Sequence, residues 1–441
     1  MTENSKKGGS PTENDTEQKK RAMLVGAAQN TDTVLFRTEM KELDGLAGAL
    51  GLETADTVTQ SLSSIDAATC IGSGKVEELR GLLFEEKCDC VIFNNTLSPS
   101  QMVNLSDRLD TEVIDRTGLI LEIFGRRAHT AEASMQVEYA RLQYMLPRLA
   151  GMRKNLSRQG GTGGAMSNKG AGETQIELDR RRIEKRMSEL RRKLKEVDLG
   201  RDVQRSRRRR AGLPLVSLVG YTNAGKSTLM NALISRCCPD DSKLVLEKDM
   251  LFATLDTTVR KITPEGRAPF LLSDTVGFIS DLPHDLVNAF RSTLEEARLA
   301  DLILEVVDCS DANCGMQMEV TAKTLADLDI RNVPVIFVMN KADLLMKDIK
   351  LPVLQADPQG ERIYLSAKQG AGLDELTALI CDRLSARTTE AAFLIPYTDG
   401  RSVEELHRRA DILEEEYRDG GTYIRAAVPE DLLGRLSDYI L

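Results

Sequence analysis

Hydrophobic and polar positions along this chain follow three rhythms in turn. From about residue 21 to 125 short apolar runs alternate with helical stretches. Residues 22–27, 67–71, 88–93 and 112–114 read as strands, with helices over 75–86 and 99–108 between them. The alternation predicts a small α/β unit with a parallel sheet. From about residue 134 the rhythm lengthens. Ile183, Met187, Leu190, Leu194 and Val197 form a heptad seam, and Met135, Tyr139, Leu142, Leu146 and Leu149 form a second apolar stripe upstream. Between them residues 156–173 hold six glycines. Two amphipathic helices joined by such a loop predict an antiparallel hairpin over 126–211, its second helix starting near Gln175 and running about 50 Å at about 1.5 Å per residue. A coiled-coil dimer is the competing reading of the same heptads; a monomer is expected. The third rhythm, over 212–388, is again strand and helix in alternation, and a short α/β tail fills 389–441.

Composition fits several folded domains. The 441 residues are 41% hydrophobic and 29% charged, a globular mix. Residues 1–20 are too polar to fold and are expected to be disordered, and they contain no apolar core of a secretory signal. No apolar run approaches the roughly 18 residues of a membrane span. A cytoplasmic protein with no integral membrane association is expected; peripheral association is left open. The eight cysteines form no CxxC pair and read as structural thiols, and the three histidines lie far apart in sequence.

Charge changes this picture. Residues 141–210 carry 21 Lys/Arg against 8 Asp/Glu, a balance of +13 in a chain whose net charge is −9. Everything outside that window therefore sums to −22. The block includes Arg180-Arg181-Arg182 and residues 207–210, and it adjoins the glycine loop. An anionic partner such as nucleic acid is favoured over a merely solvated face.

The third segment carries the chemistry. Leu215-Val216-Ser217-Leu218-Val219 is an apolar strand running into Gly220-Tyr221-Thr222-Asn223-Ala224-Gly225-Lys226-Ser227, a full G-x4-G-K-S, with Thr228 opening the following helix. Such a loop turns backbone N–H groups toward a β-phosphate, Lys226 reaches the β/γ oxygens, and Ser227 is a Mg²⁺ ligand. An earlier Gly72-Ser73-Gly74-Lys75 lacks both the first glycine (Thr69) and the hydroxyl (Val76), and reads as a strand-to-helix turn. Downstream, Asp274-Thr275-Val276-Gly277 ends a strand; its aspartate can hold Mg²⁺ through water and Gly277 can offer its N–H to a γ-phosphate. Asn340-Lys341-Ala342-Asp343 follows the apolar run 335–339, and Asp343 can accept from guanine N1 and the 2-amino group, which adenine lacks. Ser366-Ala367-Lys368 can place an N–H on guanine O6. Phosphate loop, N-K-x-D and S-A-K together specify GTP. Phe252-Ala253-Thr254-Leu255-Asp256 stands where a switch loop belongs, with Thr254 as second Mg²⁺ ligand and Thr257 and Thr258 as rivals. Phe278 stands where Ras-type GTPases carry a water-orienting glutamine, so intrinsic hydrolysis should be slow and no catalytic side chain is assigned. Asn223 matches the asparagine by which potassium-activated GTPases hold K⁺.

Outside this core stand Ile71-Gly72-Ser73-Gly74-Lys75-Val76-Glu77-Glu78-Leu79, Val113-Ile114-Asp115-Arg116-Thr117, Ile123-Phe124-Gly125-Arg126-Arg127-Ala128 and Gly170-Ala171-Gly172-Glu173-Thr174-Gln175. With FATLD and DTVGF inside it, they make the chain from about 22 to 441 resemble the HflX family of translational GTPases, in the Obg–HflX superfamily. The resemblance implies a P-loop GTPase domain preceded by a small α/β domain and a helical hairpin. It also implies a GTPase stimulated by the ribosome, which binds the large (50S) subunit and its rRNA, not DNA, and splits stalled or idle 70S particles in stress recovery. An assembly or RNA-maturation GTPase, and a nucleotide-switched regulatory scaffold, are the alternatives. The glycine loop departs from the family's usual GG-x-G-x-R-G-P-G-E, with Asn168-Lys169 before Gly170 and Ala171 in the proline position.

Overall fold

The computed structural model describes residues 20–29, 33–149, 169–210, 213–238, 252, 258–280, 296–330, 333–345, 361–385 and 388–441. The chain divides into two compact units between Arg116 and Thr117.

In the first unit strands β1 (Arg21–Gln29), β2 (Glu53–Leu62), β3 (Cys90–Phe93) and β4 (Glu112–Asp115) form an all-parallel sheet in the order β2-β1-β3-β4. Helices α1 (Thr33–Ala49), α2 (Ser73–Glu85) and α3 (Pro99–Leu109) make the crossovers. β1 is buried along nearly its whole length, as a central parallel strand must be. Met23, Val25, Ile71, Leu79, Phe93 and Leu105 share its core. A capping box starts α3: Ser98 Oγ accepts from the Gln101 N–H and the Gln101 side chain accepts from the Ser98 N–H.

One expected strand is corrected. Residues 67–71 form a turn, because the Asp66 carboxylate accepts from the N–H groups of Ala68 and Thr69, both at 2.8 Å, and Cys70 turns at φ +65°. The strand preceding α2 is β2 instead, where the apolar pattern predicts none. As an edge strand it exposes Thr57 and Thr59 and buries only Val58 fully, so it carries little apolar signal.

The second unit includes α4 (Arg116–Arg127) from its second residue on, α5 (Ala131–Met145) and α6 (Lys169–Arg210). α5 and α6 are antiparallel: Glu132 pairs with Arg201, Tyr139 with Arg191, and Glu138 takes two bonds from Arg186 at 2.6 and 2.8 Å. The second helix begins at Lys169, before the expected Gln175, and its 42 residues span about 63 Å. Leu190 in its seam is fully buried. On α5 the buried positions are Ala133, Gln136, Val137 and Ala140, while Met135, Tyr139 and Leu142 of the expected stripe are half-buried. Small side chains at the contact let the helices approach, and the long ones flank it. Residues 150–168, most of the glycine loop, lie outside the described residues.

A six-stranded sheet follows, ordered β10-β9-β8-β5-β7-β6. It comprises β5 (Leu215–Val219), β6 (Thr258–Ile262), β7 (Phe270–Asp274), β8 (Leu302–Asp308), β9 (Val335–Asn340) and β10 (Glu361–Tyr364), all parallel except β6. Helices α7 (Lys226–Cys237), α8 (Cys314–Asp327) and α9 (Leu373–Ser385) accompany it. Val216, Leu218, Leu304 and Val306 pack with Leu229 and Leu233 of α7 and Leu376 and Ile380 of α9; Val219, Ile303 and Leu325 belong to a second apolar cluster. The tail forms an antiparallel sheet, β11-β13-β12, from β11 (Thr388–Ile395), β12 (Asp411–Arg418) and β13 (Gly421–Pro429). Helices α10 (Gly400–Arg409) and α11 (Glu430–Arg435) close a core around Phe393, Leu406, Ile424 and Leu432. Among the described residues no helix is long and apolar enough to cross a membrane. The fold is α/β, a P-loop GTPase-type domain with a helical region before it.

Candidate nucleotide site

The carboxyl ends of β5, β7, β8, β9 and β10 bring the sequence motifs to one edge of the large sheet, where open parallel sheets bind ligands. The loop between β5 and α7 is built on two glycines. Gly220 sits at φ +139°, and a Cβ there would lie 2.2 Å from the Val306 carbonyl of β8. Gly225 sits at φ +93°, and a Cβ would lie 2.3 Å from Asn340 Nδ2. No other residue fits either place.

Lys226, only 6% exposed, folds back so that Nζ donates to the carbonyls of Gly220 at 3.0 Å and Tyr221 at 2.7 Å. Burial lowers its pKa to about 8, partly opposed by the nearby Asp274 carboxylate. Ser227 Oγ donates to Asp274 Oδ2 at 2.8 Å. A hydroxyl and a carboxylate side by side are the hard oxygen donors that Mg²⁺ takes. Thr275 Oγ1 donates to the Leu218 carbonyl at 2.7 Å, seating the turn after β7 against β5. Gly277 lies so close over the loop that a Cβ would stand 2.8 Å from Thr222 Cα and 2.9 Å from Lys226 Nζ.

A cavity of about 360 Å³ adjoins the loop, lined by Asn223, Gly225, Thr228, Lys341, Asp343 and Lys368 among others. Asn340 is its keystone. Its Nδ2 donates to the Ala224 carbonyl at 2.9 Å and its Oδ1 accepts from the Ala367 N–H at 3.0 Å, tying three motifs into one wall. The Asn340 carbonyl in turn accepts from the N–H and thiol of Cys309, and Lys341 pairs with Asp308 at 2.7 Å. None of this bracing is visible in motif spacing, because Asp308 and Cys309 stand on another strand's end. Ala342 opens a single 3₁₀ turn that carries Asp343, and Val276 and Ser366 are buried.

Phe278 is 2% exposed, packed with Val219, Ile303 and Leu325. Its ring therefore packs into the core, while its main chain bonds to the loop. Phe252 is also 2% exposed, at φ +54°, with its ring edge-on to Phe124 of α4 at 4.7 Å between centroids. Ala253, Thr254, Leu255, Asp256 and the rival Thr257 lie outside the described residues; Thr258 opens β6. Arg180, Arg181 and Arg182 on α6 are exposed, each paired within its own helix, with Glu184, Glu177 and Asp179. Such pairs are worth little and are readily exchanged for phosphate.

Comparison with known proteins places this architecture. Residues 37–125 match a family described as GTP-binding GTPase N-terminal, 127–208 one described as GTP-binding GTPase middle region, and 215–341 one described as 50S ribosome-binding GTPase. A GTPase HflX of Caldanaerobacter subterraneus subsp. tengcongensis is 42% identical over 426 residues, covering 96% of this chain and 94% of that protein. The GTPase HflX of Escherichia coli is 37% identical over 89% of this chain and 90% of its own. Among solved structures, a GTP-binding protein from the archaeon Sulfolobus solfataricus in complex with GDP covers 83% of this chain and 99% of its own, at 21% identity and a TM-score of 0.44.

Proposed function

This chain belongs to the HflX family of GTPases, and from that premise we propose that it hydrolyses GTP to GDP and phosphate and acts on the ribosome in the cytoplasm. The observation that carries the nucleotide reading is the continuous wall that Asn340 makes between the phosphate loop and the cavity lined by Asp343 and Ser366. In this reading the loop N–H groups and Lys226 hold the phosphates, and Asp343 and the Ser366–Lys368 segment read guanine. Ser227 and Thr254 would ligate Mg²⁺, and Asp274 would hold it through water. Bound there, the ion would supply positive charge to offset that of the phosphates. Asn223 is the residue toward which a K⁺ would be bound. Gly277 offers its N–H to the γ-phosphate. With the Phe278 ring turned into the core, no side chain of that turn orients water, so the intrinsic reaction is slow and a partner completes it.

The partner is the 50S subunit and its rRNA, and the outcome is dissociation of stalled or idle 70S ribosomes in stress recovery. Support comes from the basic α6, whose Arg180, Arg181 and Arg182 stand exposed, and from the family names of the matched segments. The test is GTP hydrolysis with and without purified 50S and 70S particles, with sedimentation of the same mixtures. Strong stimulation together with conversion of 70S to subunits is expected. Stimulation by 50S alone, with 70S left intact, would turn the reading toward an assembly factor.

A further inference from the structure

We propose that Tyr221 and Ser280 form a hydroxyl latch that fixes the turn after β7 onto the phosphate loop and so positions the Gly277 N–H for the γ-phosphate. The proposal deepens the GTPase reading above and rests on it. Two main-chain bonds bring the turn to the loop: the Phe278 N–H donates to the Gly220 carbonyl at 3.1 Å, and the Thr222 N–H donates to the Phe278 carbonyl at 2.7 Å. Two residues further on, the Tyr221 phenol reaches across. Its oxygen lies 2.7 Å from Ser280 Oγ and accepts from the Ser280 N–H at 2.9 Å. Both residues are buried, at 8% and 9% exposure.

The phosphate-loop motif asks only for a main chain at position 221, so the phenol is extra to phosphate binding. What it adds is a second clamp on a turn whose own side chain, Phe278, is committed to the core. Gly277 lies so near the loop that a Cβ on it would stand 2.8 Å from Thr222 Cα. Where its N–H points is therefore set by whatever holds residues 278–280. β-Phosphate contacts would come from the loop and the start of α7, which keep the two main-chain bonds to Phe278 when the phenol is lost. Loss of the latch should weaken the triphosphate and spare the diphosphate.

The experiment compares affinities of the full chain for GDP and for a non-hydrolysable GTP analogue in Tyr221→Phe, Ser280→Ala, the double variant and Ser280→Thr. Tyr221→Phe loses both bonds and should lower the ratio of analogue to GDP affinity by about three- to tenfold, the scale of one or two buried neutral hydrogen bonds. Ser280→Ala loses one and should fall by less. The double variant should match Tyr221→Phe, because the groups act as a pair, and Ser280→Thr should stay near the unaltered chain. An unchanged ratio in Tyr221→Phe, or equal weakening of both nucleotides, overturns the latch. Failure of the unaltered chain to bind GDP would instead remove the GTPase reading beneath it.

Discussion

Two glycine–lysine turns start helices in this molecule, and they behave differently. At α2 the segment Gly72-Ser73-Gly74-Lys75 is relaxed: Gly72 is extended at φ −61°, its N–H donates to the Gln60 side chain at 2.9 Å, and Gly74 has open space where a Cβ would go. Lys75 points along its own helix to Glu78 at 2.7 Å, its side chain 22% exposed. At α7 two glycines have positive φ, a carbonyl and an amide crowd their Cα atoms, and Lys226 is buried against the loop's own carbonyls. Both turns sit at helix N-termini with the same partial positive charge. What separates them is crowding from other strands, Val306 of β8 and Asn340 of β9, which curls the second loop into a cradle. A helix N-terminus is common; a cradle needs neighbours.

The largest test of that contrast exchanges the lysines. Lys226→Ala removes a buried ammonium whose charge-assisted bonds to phosphate are worth about 1.5–3 kcal/mol each. GDP affinity measured by calorimetry should fall by about 100-fold or more. Lys75→Ala should leave it unchanged, since that ammonium is paired with Glu78 of its own helix. Comparable losses in both would mean that the first turn also holds phosphate.

At the first turn the sequence rightly excludes a phosphate loop for want of a first glycine and a hydroxyl, but a turn, not the expected strand, runs into α2. It anticipates the second turn correctly because that turn depends on local letters: a first glycine, a hydroxyl, a strand before and a helix after. The same holds for β5, which the structure places at Leu215–Val219, and for the antiparallel pairing of α5 and α6. Where long-range partners decide, the pattern misled. Residues 67–71 are apolar enough for a strand, yet Asp66 captures their N–H groups. β2 escaped notice because only one face of an edge strand is paid for in apolar residues. In the site, residue types told which motifs meet; that Asn340 braces Ala224 and Ala367, or that Tyr221 meets Ser280 59 residues away, needs the sheet to bring them together.

The burial of Lys226 also gives the cradle a pH signature. Its pKa without nucleotide is about 8, below the ordinary 10.5. Phosphate oxygens raise it again, so above about pH 8 binding must take up a proton. Affinity should then fall by roughly tenfold between about pH 8 and 9.5, and calorimetry in buffers of different ionisation enthalpy should report the uptake. Stability of the nucleotide-free chain responds with the opposite sign. Between about pH 8 and 10.5 the unfolded chain binds more protons at this lysine than the folded one, so this group's contribution to stability rises with pH. Binding that is flat with pH, with no proton uptake at pH 8.5, would show that Lys226 keeps its charge throughout.

The smallest effect probes the glycines. Gly74 lies inside α2 with nothing within 4 Å of an added Cβ and no positive φ. Gly74→Ala therefore gains helix propensity and restricts the unfolded chain, and should stabilise by about 0.5 kcal/mol, seen as a small rise in the unfolding midpoint. The equivalent change at Gly225 meets both penalties at once: a left-handed backbone at φ +93° and an Asn340 amide 2.3 Å away. That amide cannot retreat without releasing the Ala224 carbonyl it holds, so the strain passes to the wall of the base cavity. Gly225→Ala should cost nucleotide affinity as well as stability, whereas Gly74→Ala should leave affinity untouched. If Gly74→Ala destabilises instead, the α2 turn is held by contacts beyond its own helix, and the relaxed half of the comparison is wrong.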